Sequence, residues 1–326
     1  MQYDTIPDLD KKRNAKQLNE PHNMNNMRRL SLAFLFSLVS LGIFAQDDLM
    51  KMLDQDSSKV TNYTTATFKS THVMNGQSIE SMPPGQLDVR ISHRFGTLNT
   101  GGYNFFGLDQ SNIHLSLEYG IFKWLMIGVG RGSFEKTFDG FAKFSVFRQS
   151  TGVKEIPVSV SVFSSIALKT LKWTDPTITN YYSSRLSYVW QVLVARKFNQ
   201  AFSFQLTPTY IHRNLVATEL DPNDLYSIGA GGRLKLTKRI SLNAEYYFML
   251  NPKNNFSQQV YNPLTVGVDI ETGGHVFQLF FSNSLGTIEN QFIGETTGQW
   301  KKGDIHFGFN ISRVFTLKKH QAVSTY

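Results

Sequence analysis

Gly229-Ala230-Gly231-Gly232-Arg233-Leu234-Lys235 has the glycines and cations of a phosphate-binding loop. It lacks the Gly-Lys-Ser/Thr ending, and no helical period follows it. Glycines relieving crowding on one face of a strand account for the run better. His72, His93, His114, His212, His275, His306 and His320 are scattered, and no pair has zinc-motif spacing. A lipid-facing acyl hydrolase needs a Ser–His pair with an orienting Asn or Gln. His93 and His275 fall in apolar phase and Ser282-Asn283-Ser284 is close in sequence, yet the spacing matches no hydrolase motif. Asp221-Pro222-Asn223-Asp224 offers oxygens to calcium but lacks the EF-hand pattern and reads as a turn. No catalytic residue, cofactor site or metal ligand set is expected, and the chain is read as a non-enzyme.

A larger constellation remains: Asp88, Arg90, Arg94, Glu118, Lys143, Arg185, Arg233, Lys235, Glu245, Asp269 and Glu271. Each lies in a stretch where polar residues alternate with large apolar ones. Leu87, Val89 and Ile91 oppose Asp88, Arg90 and Ser92; Leu242, Ala244, Tyr246 and Phe248 oppose Ser241, Asn243 and Glu245. A period of two means a strand with one apolar and one polar face. The pattern recurs about twelve times from residue 86 to 316, with few candidate helices to cover the apolar faces. A closed sheet whose outer face meets lipid satisfies it. The fold class expected is therefore all-β: a transmembrane antiparallel up-and-down β-barrel of about twelve strands, of the outer-membrane type.

The connections alternate in length. Gly120–Lys123, Gln149–Glu155, Phe198–Gln200, Thr237-Lys238 and Gly273-Gly274 are short; Gly96–Gln110, Lys169–Ser183, Asn214–Asn223, Asn251–Asn262 and Ser284–Lys302 are long, with Gly132–Thr137 the one modest link in the long set. Short periplasmic turns and long outer loops are the outer-membrane arrangement. The last stretch, Asp304–Phe315, carries Ile305, Phe307, Phe309 and Ile311 on one face. It is expected to pair with Leu87–Phe95 and close the barrel without a free edge. Its aromatic end, Phe315, suits a signal to the outer-membrane assembly machinery.

Inward charges in a membrane sheet must line water or pair with one another. Lined with water they make a narrow channel for small polar or ionic solutes. Paired, they close the barrel and leave a structural, binding or scaffold protein. The sequence leaves both open.

The net charge of +8 is dispersed, and no Lys/Arg block suggests nucleic-acid binding. Cysteine is absent, which removes disulfides and thiolate metal sites. Aromatics at 13% suit membrane girdles. Met27-Arg28-Arg29 followed by an uncharged run to Ala45 has the form of a secretory signal peptide, cut after about Ala45. The organisation expected is thus: 1–26, an over-extended N-terminus; 27–45, the signal peptide; 46–85, a periplasmic lead-in or partial plug; 86–316, the barrel; and 317–326, a tail. Thr64–Val73 has strand composition, as a thirteenth strand or part of a plug, and Asn75-Gly76 after it signals a turn. The expected location is the cell outer membrane, with its lipid and assembly machinery as partners.

Leu87-Asp88-Val89-Arg90-Ile91-Ser92-His93-Arg94-Phe95-Gly96 resembles the first signature of a family of β-barrel proteins of unknown function, domain of unknown function 5777. Gly107-Leu108-Asp109-Gln110, Gly128-Val129-Gly130-Arg131, Phe138-Asp139-Gly140-Phe141, Arg185-Leu186-Ser187-Tyr188 and Gly231-Gly232-Arg233-Leu234-Lys235-Leu236 are similar to further family segments, as are Ile270–Leu279 and Asp304–Phe315. The resemblance implies a barrel in the outer membrane of a Gram-negative cell. It implies no activity and no catalytic residues.

Overall fold

The computed structural model describes residues 60–173, 175, 177, 179, 181–251 and 256–318. The expected over-extended start, the signal peptide and the end of the tail lie outside the described residues.

Fourteen strands are described: β1 (Thr61–Tyr63), β2 (Gln86–Thr97), β3 (Ser111–Phe122), β4 (Leu125–Gly132), β5 (Phe138–Phe147), β6 (Ser150–Gly152), β7 (Ser159–Leu168), β8 (Leu186–Lys197), β9 (Phe202–Arg213), β10 (Asp224–Lys235), β11 (Ile240–Met249), β12 (Leu264–Glu271), β13 (His275–Ser282) and β14 (His306–Thr316). Twelve of them, β2–β5 and β7–β14, form one closed barrel in which each strand pairs antiparallel with its neighbours in sequence. Only closure removes both sheet edges. The period of two is literal in β11, where exposed and buried residues alternate along the whole strand. Leu242, Tyr246 and Phe248 point out; Asn243, Glu245 and Tyr247 point in.

The outer wall is an apolar belt whose aromatic rings stack from strand to strand. Trp190, Tyr210 and Tyr226 form one such row across β8, β9 and β10, at centroid spacings of 5.3 and 5.2 Å. Phe95 stacks on Phe307 at 5.6 Å across the seam. Outward apolar surface on this scale finds its partner in lipid.

At the seam, Phe309 lies opposite His93, Ile311 opposite Ile91 and Phe315 opposite Leu87. The closing strand begins one residue later than the alternation suggests. Ile305 precedes β14, and its carbonyl accepts the Leu98 N–H at 2.8 Å. Asp304 is engaged there by Asn99 and by the Gln299 N–H, so the loop holds this end of the chain before the strand starts.

The connections divide as their lengths indicate, with one difference. Gln149–Glu155 is more than a turn: it contains β6, which pairs with β1 as a two-stranded sheet outside the barrel. Thr64–Val73 adds no barrel strand. The chain from 64 to 84 turns inward at the short-turn rim, where the Gly85 N–H donates to the Gly120 carbonyl at 2.9 Å.

Candidate functional site: a filled lumen

Residues 71–78 form a tight hairpin inside the barrel. The Ser78 N–H donates to the Thr71 carbonyl and the Val73 N–H to the Gly76 carbonyl, both at 2.8 Å. Asn75 and Gly76 form its tip. Both backbone N–H groups there donate to Glu245, at 2.7 and 3.1 Å, and the Asn75 amide reaches Thr265 at 2.8 Å. Gly76 is required by its neighbour: a Cβ would sit 1.9 Å from the Tyr247 hydroxyl. Gly229 leaves room for the Tyr247 ring, and Gly231 faces Val73 of the hairpin. The glycine run of 229–235 is therefore strand β10 shaped to fit the insert, with no helix behind it.

The inward charges converge on this hairpin. Lys143 donates to the carbonyls of Thr71, Ser78 and Glu80 and to the Gln77 side chain, at 2.6–3.3 Å. Arg90 donates to Ser70, to the Met74 carbonyl and to Gln278. Arg94 holds Asn75 at 2.6 Å and Asn310 at 3.0 Å. Glu118 accepts from Thr71 at 2.6 Å and meets His72 at 2.7 Å. Arg233 donates to the carbonyls of Ala66 and Thr67. Asp88 accepts from Ser312, and Asp269 from Gln278. All of these side chains are buried. A charge inside a membrane barrel persists when its hydrogen bonds are made.

Three of the eleven sequence candidates lie elsewhere. Arg185 sits in the turn before β8 at the long-loop rim, its guanidinium over the Trp173 ring at 3.8 Å. Its alternation phase points inward, but the strand starts one residue later. Lys235 and Glu271 end β10 and β12 at the short-turn rim, where Glu271 pairs with Lys69.

From the other end, the long connection between β13 and β14 folds back into the mouth. It carries a short helix, α1 (Glu289–Gly294), all of whose residues are buried. Phe292 and Ile293 pack into inward-facing Val189, Ile211, Leu225, Tyr247 and Met249. Asn290 donates to Ser187 and Gln291 to Thr137, both at 3.0 Å. Burial pushes the Glu289 carboxyl up to about 8. Between the hairpin and α1 lies a cavity of about 30 Å³, bordered by His72, Arg90, His114, Glu118, Asp139 and Glu289. That is room for a water molecule and not for a solute.

The remaining sequence candidates fall into structural roles. His114 pairs with Asp139 at 2.7 Å on the inner face, and His212 with Asp224 at 2.6 Å near the rim. On the outer face Ser111 and His93 meet at 2.9 Å, a pair the sequence did not single out. The other His93 nitrogen, Nδ1, has no hydrogen-bond partner among the described residues, so the orienting third member of a hydrolase triad is missing there. Asp221 accepts from Thr218 and Ser257 and ties two outer loops together. Among the described residues no cluster of three or more His, Asp or Glu side chains is arranged to hold a metal ion.

A closed antiparallel barrel with an apolar outer belt, short turns on one rim and long loops on the other, is a membrane β-barrel protein. A family described as a membrane-bound β-barrel domain, domain of unknown function 5777, matches residues 68–315, and the chain belongs to that family. No curated protein matches the sequence. Solved structures similar in fold include the NanC porin, 9% identical, covering 72% of this chain and 100% of that one at a TM-score of 0.44. An outer membrane channel from Pseudomonas putida F1 is 12% identical, with 73% and 98% covered and a TM-score of 0.45. The KdgM porin in complex with disordered oligogalacturonate is 9% identical, with 71% and 99% covered and a TM-score of 0.43. The likeness is one of overall barrel form.

Proposed function

We propose that this protein is an outer-membrane barrel closed by its own N-terminal hairpin, serving as a binding or scaffold component rather than as an open pore. The observation that carries the reading is Lys143: an ammonium inside the barrel whose four acceptors all belong to the inserted segment, three in the hairpin and the Glu80 carbonyl just after it. Water-lining charges would leave their donors free for solvent; these are used up on the insert. The channel reading needs the hairpin out, and the reading as a lipid-modifying enzyme has, at the outer-face Ser111–His93 pair, no orienting group among the described residues.

The outer membrane is the location this reading requires. The sequence supports it with a signal peptide ending near Ala45, and the barrel supports it with the asymmetry of its two rims. Lipid then covers the belt, and the assembly machinery takes Phe315 and its strand as the closing segment. Sequencing the N-terminus of the protein recovered from outer membranes tests cleavage after Ala45. Proteoliposome swelling in a small sugar tests closure. Vesicles carrying the protein should swell no faster than empty ones, and faster swelling would overturn the closed-barrel reading.

A further inference from the structure

Residues of the outer connections, among 169–173, 184–187, 213–221, 256–260 and 290–297, together with Phe134 and Glu135, line a basin of about 660 Å³ at the mouth. That volume is within the usual range for small-molecule sites, about 300–1,000 Å³. Its floor includes Asn290 and Gly294 of α1. We infer that this basin is a binding site for a small organic anion, a carboxylate or phosphate ester carrying an apolar group. The inference rests on the closed-barrel reading, since a sealed floor holds a ligand instead of passing it.

The charges of the basin wall are unequally satisfied. Its acids are already engaged by protein donors. Glu135 and Glu295 share Lys169 at 2.7 and 2.8 Å. Asp221 accepts the Ser257 N–H at 2.9 Å and hydroxyl at 2.6 Å. The donors left over are cationic. Arg185 uses one N–H on the Lys169 carbonyl, and stacking on Trp173 fixes the rest of its fork. Arg213 uses one N–H on the Pro222 carbonyl, and its buried Nε has no partner among the described residues. Lys172 is exposed and makes no side-chain hydrogen bond or ion pair within the described residues. Planar guanidinium forks and a free ammonium select a carboxylate or phosphate. Beside them, Leu186, Leu215, Val216, Phe256 and Val260 offer an apolar wall that a bare inorganic ion would not use.

The test is a titration of the full chain, in phosphatidylcholine nanodiscs, with 2-naphthoate and with its neutral counterpart 2-naphthylmethanol. Naphthoate should bind saturably at one site, and the alcohol at least about tenfold more weakly. R185Q/R213Q should abolish the preference for the anion. K172E should weaken naphthoate binding several-fold and leave the fold intact, because Lys172 bonds to nothing in the described structure. Rising salt should weaken naphthoate binding and leave the alcohol unchanged. Equal affinity for acid and alcohol, absence of saturable binding, or an unaltered K172E would overturn the site. Discs of phosphatidylglycerol separate a free solute from a lipid headgroup. Unchanged affinity there supports the free solute; loss of binding assigns the basin to lipid and overturns the proposal as stated. Failure of this titration with no sugar-driven swelling refutes only the site, whereas swelling refutes the closed barrel itself.

Discussion

Lys143 makes four hydrogen bonds from the barrel wall to the inserted segment, and Lys143→Met should release that tie. Its ammonium has three protons and four acceptors at 2.6–3.3 Å: the hairpin carbonyls of Thr71 and Ser78, the Gln77 side chain, and the Glu80 carbonyl just beyond the hairpin. Methionine keeps the length and the apolar stem but strands at least three buried acceptors. At about 1 kcal/mol for each, the docked hairpin loses roughly 3 kcal/mol, less whatever is recovered by no longer burying an ammonium. Three kcal/mol is roughly a 100-fold shift toward the undocked state. The chain has no cysteine, so one reporter thiol can be read without background. Met74→Cys is suitable: Met74 is fully buried, and the barrel's hydrogen bonds at that residue go to its backbone carbonyl. Its reaction with a water-soluble maleimide follows the population of the open state when closing is fast. Lys143→Met should accelerate that reaction by tenfold at the least and about 100-fold if the full loss is felt. The barrel's resistance to heat on gels should persist, because strand pairing is untouched. Labelling within about twofold of the parent would show that Lys143 does not hold the hairpin, and the account of the lumen charges would fail.

Gly76→Ala should drive its new methyl against the Tyr247 hydroxyl and destabilise the docked tip by roughly 1–3 kcal/mol. Tyr247→Phe in the same chain should recover part of that loss in the thiol assay. Glu289 binds a proton more tightly folded than unfolded, so between about 4.5 and about 8 the folded state holds the extra proton and stability falls as pH rises. The parent should therefore melt at a lower temperature at about pH 9 than at about pH 6, and Glu289→Gln should flatten the difference. A variant melting with the parent's pH slope would contradict the burial of that carboxyl. Replacing Phe309 and Ile311 by Asp places two charges in lipid at the seam, at roughly 2–3 kcal/mol each beyond the lost apolar burial. The doubly substituted chain should fail to assemble into a heat-resistant barrel, read by its mobility on gels with and without boiling.

The barrel was legible because its determinants are local. Alternation in stretches such as Ser241–Phe248 depends on one strand and its two faces, and the alternation of short and long links reports which rim each turn occupies. The filling of the lumen depends on residues far apart in sequence. Asn75 and Glu245 are 170 residues apart, and Arg90 and Gln278 are 188 apart; only closure brings them together. Thr64–Val73 shows strand composition with weak alternation because from Thr67 onward most of its residues, on both faces, are buried inside the barrel. Tyr247 and Met249 were hidden for a related reason. They turn inward in alternation with the outward Tyr246 and Phe248, so both faces of β11 become apolar near the mouth and the pattern there loses its contrast. Helix α1 has only six residues, too few for a helical period to emerge from the long connection around it. Arg185 kept the phase of a strand that had not yet begun.

The central claim is that the lumen is closed by the chain's own hairpin and mouth helix. Its most direct measurement is ionic current across a planar lipid bilayer containing the full-length protein. The account predicts insertion without steady current at either polarity, and steady current from a variant lacking both 65–82 and 286–297, whose lumen charges then face water. A steady conductance from the unaltered protein, no smaller than that of the deleted form, would contradict it.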